Sequence, residues 1–352
     1  MAERKKRATL ADLAHATDLS VKTVSIALRH GLGVSSETRQ RVLEAAKKRG
    51  YGSESPGARP SLRKLTIGAC VPDLSEHYGE LAQEIIRYAA MRNYAVVPQI
   101  TNDNTADELR ATQMFKRMGV FAVILTSSRI GKAAVKDLTD DGIAVVPIVS
   151  ERDHDGIGPF PGTSPILLDH HAGTREAAKY LISLGHRRFA YLSGPRNSCS
   201  NVAKKGGLEE ALAEAGLGLD EKYVIARDKG GFDCAAGYEE CLDLLARPKD
   251  DVPTAVVCYN DELALGVLAC LAERRVSVPD KMSVVGSDDI KYAQYWRPSL
   301  TTVGVPRAQL AQQAVDTIND IATNPTGADD QNLRVTPRLI IRGSSGPCPQ
   351  HE

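Results

Sequence analysis

Apolar positions in this chain follow different rhythms in different stretches. From Thr9 to Tyr51 they recur every three to four residues in short bursts, the spacing that stacks side chains on one face of a helix. Leu10, Leu13 and Ala14 make the first burst, with Thr9 as its N-cap and Asp12 three residues on. Thr17-Asp18-Leu19 interrupts, and Ser20 caps a second helix. There Val24, Ala27 and Leu28 share one face, while Val21, Lys22, Ser25, Ile26 and Arg29 share the opposite one. Ser35 or Ser36 opens a third helix. Its Val42, Leu43 and Ala46 are expected to pack inward, and its Arg39, Arg41, Lys47, Lys48 and Arg49 to stay wet. An exposed face mixing apolar and hydrogen-bonding groups, beside a supporting third helix, predicts a helix-turn-helix whose second helix enters the major groove.

Gly52 to Lys64, GSESPGARPSLRK, has no periodicity and reads as a linker. From Leu65 short continuous apolar runs (65–71, 95–100, 121–125, 144–149) alternate with amphipathic stretches near 77–92, 106–118 and 131–141. After a Gly- and Pro-rich loop at 156–165 the alternation resumes, with strands at 166–168, 189–193, 222–226, 254–258 and 283–285 and helices between them. Thr301-Thr302, a helix near 307–322 and one strand around 332–342 complete it. Strands apolar on both faces and alternating with helices imply two doubly wound parallel sheets.

Composition divides the chain in the same place. Its formal net charge is zero, yet residues 1–64 hold fourteen Lys and Arg against six Asp and Glu, a formal +8, which leaves −8 for the rest. The excess points to nucleic acid at one end only, with Arg4 to Arg7 reading as phosphate contacts. Seven cysteines without a CxxC pair read as thiols in a reducing cytoplasm, and four of them stand in or beside apolar runs. The charged N-terminus and the lack of any run of about 18 apolar residues support neither export nor a membrane span.

Residues 9–51 resemble the headpiece of the lactose-repressor (LacI/GalR) family of bacterial transcription regulators. The matching residues are Thr9, Asp12-Leu13-Ala14, Ser20-Val21-Lys22-Thr23-Val24-Ser25 and the run Val34 to Val42 with Ser35, Thr38 and Arg39. The resemblance implies DNA contacts from Thr9, Ser20, Val21, Lys22, Thr23, Ser25, Ile26, Arg29, Ser35, Thr38 and Arg39. Asp18 stands where the family usually has a turn glycine, and a left-handed backbone there is tolerable for Asp. Ile26 replaces a frequent base-reading arginine, so an apolar contact with a thymine methyl is its natural role. In the linker, Ala58-Arg59-Pro60-Ser61-Leu62 is similar to the family's hinge helix, which implies Arg59 and Leu62 as hinge residues, with Leu62 either the minor-groove wedge or the first buried residue of the next domain. Pro60 would cost such a helix about 3 kcal/mol.

The core, 65–342, is similar to the family's periplasmic-binding-protein-like domain. Its markers are Leu168-Asp169, Leu181 to Arg187, Ser193-Gly194-Pro195, Asn260-Asp261, Ser283 to Asp289 and Pro298 to Val303. The implied layout is a headpiece at 1–51, a hinge at 52–64, a core at 65–343 and a tail at 344–352. The core's N-subdomain would hold about 65–164 and 304–322, its C-subdomain about 165–303 and 323–343. Ligands gather beyond the carboxyl ends of parallel strands. On the resemblance, Asp288 accepts effector hydroxyls or caps a helix, Asn260 contacts the effector or caps, and Lys204 stands in the place of a gripping arginine. Phe232 corresponds to an aromatic that stacks on the effector or packs, and Ser75 and Tyr78 stand in the family's effector-facing loop. By position alone, Trp296 in the loop after Asp288 closes the cleft or packs, and Arg152 follows strand 144–149 as a further contact.

Catalysis finds little footing. Asp169-His170-His171 and Asp153-His154-Asp155 lack a third ligand cluster, Gly31-Leu32-Gly33 lacks a dinucleotide loop's third glycine, and no GxSxG elbow occurs. The sequence therefore predicts an all-α headpiece on a two-subdomain α/β core that works as a repressor without cofactor. Its expected partners are double-stranded operator DNA, a carbohydrate-like effector and a second copy of the chain. The alternatives are a solute-binding module or a sugar-handling enzyme on the same two-lobed fold.

Overall fold

The computed structural model describes residues 9–29, 34–49, 65–126, 132–150, 162–196, 198–226, 231–323 and 333–349. Its first three helices are α1 (Leu10–Thr17), α2 (Val21–Arg29) and α3 (Ser36–Lys48). Thr9 and Asp12 close a reciprocal capping box on α1, each side chain accepting from the other's backbone N–H. Asp18 ends that helix in the left-handed region, φ 52° and ψ 43°, as its position in the turn demands. Ser20 caps α2 by accepting from Thr23 N–H, and Ser35 caps α3 by accepting from Thr38 N–H. Leu13, Ala14, Val24, Ala27, Val42 and Ala46 form the buried core of the three helices. Leu43, expected inside, is 37% exposed, because it falls one position past Val42 on the outer flank of α3.

The remaining chain builds two six-stranded sheets. The first contains β1 (Thr66–Val71), β2 (Ala95–Ile100), β3 (Ala122–Leu125), β4 (Ala144–Ser150), β5 (Ile166–Leu168) and β11 (Leu333–Val335), in the order β11-β5-β4-β3-β1-β2. The second contains β6 (Phe189–Leu192), β7 (Val224–Ile225), β8 (Ala255–Cys258), β9 (Ser283–Asp288), β10 (Thr301–Gly304) and β12 (Arg338–Ile340), in the order β12-β10-β9-β8-β6-β7. Strands β6 to β10 pair in parallel, and β12 joins β10 antiparallel. The single strand expected at 332–342 is thus two strands in different sheets, broken at Thr336-Pro337, where proline cannot donate to a ladder.

Helices cover both faces of the second sheet. Ala177, Ala178 and Leu181 of α7 (His170–Ser183) and Leu208 and Leu212 of α8 (Cys199–Glu214) pack with Tyr191, Val257 and Val285. On the other face, α9 (Cys234–Leu245) and α10 (Asp261–Glu273) pack with Leu192, Val256 and Val284. A Cβ on Gly237 would lie 2.0 Å from the Leu263 carbonyl oxygen, and one on Gly266 2.0 Å from that of Cys234, so only glycine permits this helix pair to approach so closely. Cys70, Cys241, Cys258 and Cys270 are buried free thiols, and burial pushes Cys70 up to about 12.

Two compact units result. One comprises Met1–Ile148, Pro159–Ile166 and Ala308–Leu333; the other comprises Val149–Gly158, Leu167–Arg307 and Arg334–Glu352. Residues 323–333, expected in the second unit, group with the first, since α11 (Arg307–Thr323) leads into β11 at the edge of the first sheet. The expected tail also differs: Ser344 is fully buried, its Oγ donating to Val284 O at 2.6 Å, and Cys348 N donates to Leu184 O at 2.8 Å. These hydrogen bonds seal the second unit beside His186, whose ring contacts Thr254, Ser283 and Gly346. Burial lowers the His186 pKa.

Candidate functional site

On the headpiece, α2 presents Val21, 48% exposed, and an exposed Lys22, with Thr23, Ser25 and Ile26 half-buried beside them. Val24 and Ala27 are turned into the core, so the division of faces expected from spacing is the one observed. Thr9, Ser20 and Ser35 stand exposed at the helix starts and Thr38 half-buried near one. Their hydroxyls serve the caps, Ser20 with Thr23 and Ser35 with Thr38, each at 2.8 Å. Arg39 is the correction. It is only 5% exposed, and its Nε donates to the Ala27 carbonyl at 3.1 Å, satisfying an open acceptor near the end of α2. Burial lowers its pKa. The side chain of Arg29, Arg59, Leu62 and Arg152 lie outside the described residues.

In the second unit a polar cluster forms at the carboxyl ends of β8 and β9. Asp288 ends β9 with φ 121°, and Asp289 follows at φ 57°, two successive left-handed positions without glycine. The guanidinium of Arg307 donates to the carbonyl oxygens of both, at 2.6 Å for Asp289. Arg342 donates to the Asp289 carboxylate at 2.6 Å and to Leu300 O at 2.9 Å. Charge-assisted bonds of this kind hold the two aspartates in a backbone geometry they would not choose alone.

Lys204, 4% exposed on α8, donates to Tyr259 O at 2.8 Å and lies 3.6 Å from the Asp288 carboxylate. Its ammonium also sits 4.5 Å from the centre of the Tyr259 ring. Phe232 meets that ring edge-on at 5.9 Å. Tyr259 further bonds Ser200 at 3.1 Å through its hydroxyl, and a Cβ on Gly194 would lie 2.5 Å from its ring. Beneath Asp288 lies the fully buried carboxyl of Asp261, which accepts from Ile290 N–H at 2.8 Å and from the Thr302 hydroxyl at 2.6 Å. Burial first, and then the nearby charge of Asp288, raise its pKa to about 7.

Lys204, Phe232, Asn260 and Asp288 are therefore brought together as expected from sequence. Asn260 is spent largely on structure, with Oδ1 capping α10 at Leu263 N and Nδ2 bonded to Phe232 O. Trp296 is a correction. It is 37% exposed and lines a depression of ≈ 400 Å³ with Cys234, Tyr238, Leu265, Gly266 and Ala269 of α9 and α10. The segment after β9 turns over these helices, its Trp296 N–H bonded to Tyr292 O, and so carries the indole there. Ser75 and Tyr78 stand in the first unit at the start of α4 (Glu76–Met91), after β1. Tyr259, Asp261, Arg307 and Arg342 were missed by sequence reasoning, although the first two directly follow a parallel strand, where ligands gather. Asp169 caps α7 and His171 Nε2 lies 3.0 Å from the Glu210 carboxylate, while Asp153, His154 and Asp155 lie outside the described residues. Among the described residues no helix is long and apolar enough to cross a membrane.

Comparison with known proteins agrees with both regions. Residues 9–53 match the family model of bacterial regulatory proteins, lacI family, and 178–345 match the periplasmic binding protein-like domain. The ribose operon repressor of Escherichia coli (strain K12) is 29% identical over 346 residues, covering 96% of this chain and 100% of its own. A LacI family transcriptional regulator from Enterococcus faecium, with bound ribose, is similar at TM-score 0.67 and 26% identity over 80% of this chain and 99% of its own. The transcriptional regulator CelR in complex with cellobiose gives TM-score 0.68 and 26% identity, with 96% and 100% covered.

Proposed function

Because the chain belongs to the LacI family of bacterial regulatory proteins, we propose that it is a sequence-specific repressor of transcription whose hold on operator DNA is set by a small polyhydroxy effector. The observation that carries the reading is one chain holding both an exposed, capped α2 and a buried carboxylate, Asp288, at the end of a parallel strand. Residues 1–51 act as the headpiece and 52–64 as the hinge, with Arg59 and Leu62 engaging the minor groove. Lys22 and Ser25 read base edges, Ile26 meets a thymine methyl, and the caps at Thr9, Ser20 and Ser35 set phosphates. Two copies place two headpieces about one helical turn apart on a two-fold operator. The exposed Tyr292, Tyr295 and Trp296 supply an apolar face for that pairing. Effector bound at Asp288 alters operator affinity only through different affinities for the two states of the protein.

The test is selection of random duplex DNA by the full chain, followed by operator titration with D-ribose, D-glucose and cellobiose. A two-fold consensus should emerge, and one sugar should shift the operator curve of the unaltered chain while leaving that of Asp288→Ala in place. Failure to enrich any two-fold sequence overturns the DNA reading. A sugar response that survives in Asp288→Ala removes Asp288 from the site.

A further inference from the structure

Three cations gather around the carboxyl end of β9, and each is engaged with the protein. Lys204 is held by the Tyr259 carbonyl, the Tyr259 ring and Asp288. Arg307 spends its guanidinium on the Asp288 and Asp289 carbonyls, and Arg342 bonds Asp289 and Leu300. Against them stand three carboxyl groups, Asp261, Asp288 and Asp289. Asp261 is completely buried, and among the described residues its hydrogen-bond partners are a backbone N–H and a hydroxyl.

A ligand carboxylate or phosphate entering here would lose its hydration beside Asp288 and Asp289 and find Lys204, Arg307 and Arg342 already bonded to protein acceptors. To pair with Lys204 it would have to draw the ammonium away from the buried Asp288 carboxylate. A hydroxyl meets no such cost. It donates to Asp288 while Lys204 stays in place.

Resting on the effector-site reading above, we infer that the site takes an uncharged polyhydroxy ligand and rejects its acidic counterparts, with Lys204 serving as a fixed counter-charge to Asp288. Lys204 is then a positioning residue that acts through Asp288 and Tyr259, and Asp288 makes the contact with ligand hydroxyls.

Calorimetric titration of the full chain decides this with matched pairs: D-ribose against D-ribose 5-phosphate, D-glucose against D-glucuronate, and cellobiose against cellobionate. In the pair that binds, the uncharged member should be tighter by at least about tenfold, and its affinity should not change between low and high salt. The same pair on Asp288→Asn frees Lys204 from its counter-ion, so the preference should shrink or invert. An acidic member that binds the unaltered chain as tightly as its uncharged partner overturns the inference while leaving the effector site standing. So does a preference that Asp288→Asn leaves unchanged. Silence toward all six compounds overturns the carbohydrate reading itself, and the inference falls with it.

Discussion

Apart from the buried Thr17 and Arg39, the described polar side chains of the headpiece lie outside a core of six small and medium apolar residues, and those of Thr9, Ser20 and Ser35 close its helix caps. At the end of β9 the arrangement is reversed: Lys204, Asp261 and Asp288 are themselves buried, Lys204 lying 3.6 Å from the Asp288 carboxylate while burial and the Asp288 charge raise the pKa of Asp261. The difference follows from what each surface meets. A DNA duplex brings a hydrated, highly charged backbone, so exposed donors on a small rigid frame suffice. A small ligand offers a few hydroxyls and little area, so its site gains selectivity by fixing charge in advance within a low-dielectric surround.

Four substitutions bear on that contrast. The largest effect should come from Leu13→Ala. It removes a fully buried side chain from a core too small to repack, at about 2–5 kcal/mol. Operator binding should vanish while the main melting transition of the two sheets stays, and retained operator binding would mean that the headpiece is supported from elsewhere. Next is Asp261→Asn. Because the folded protein raises this carboxyl from 3.8 to about 7, its contribution to stability is full below the unfolded value and is lost as pH rises through the folded one. Asparagine can still accept from Ile290 and donate to Thr302. Melting temperatures from pH 4 to pH 8 should thus fall less steeply for Asp261→Asn than for the unaltered chain, and parallel profiles would show that Asp261 does not titrate there.

Lys22→Ala should weaken the selected operator by about 1–3 kcal/mol and random DNA much less. Equal losses on both would make Lys22 a phosphate contact and blur the contrast with the buried site. The smallest effect, about 1 kcal/mol of headpiece stability, is expected for Ser20→Ala, which removes the acceptor of the Thr23 N–H. Amide exchange in the first turn of α2 would register it, and unchanged protection there would mean that water replaces the cap.

Local rules made the headpiece legible. Capping residues, face spacing and the left-handed Asp18 all depend on neighbours a few positions away, and sequence displays these directly. Arg39 escaped because its partner, Ala27 O, is twelve positions back across a turn, where periodicity carries no information. The polar cluster was legible as a position, the carboxyl ends of parallel strands, and as the residues Lys204, Phe232 and Asp288. Its commitments were not legible. Lys204 bonds a carbonyl 55 residues away, and Arg307 and Arg342 reach back to Asp288 and Asp289 from beyond β10. Trp296 was assigned by its distance in sequence from Asp288, but the path of the intervening backbone decides where it lands. The stretch 344–348 looked like a tail because hydropathy records burial by apolar area, and this segment is buried by hydrogen bonds.

That last segment bears on how the protein is made. Chains emerge from the ribosome N-terminal end first, and domains form as their parts become available. The first unit closes only when β11 has been delivered, and the second still awaits Ser344 and Gly346 to complete the hydrogen bonds of Val284, Ser283 and His186. Neither unit is one continuous stretch of sequence, so the first cannot finish until most of the second has been translated. The headpiece, complete by residue 49, is under no such constraint. A nascent chain thus holds a finished DNA-reading module well before it holds a finished site to govern it.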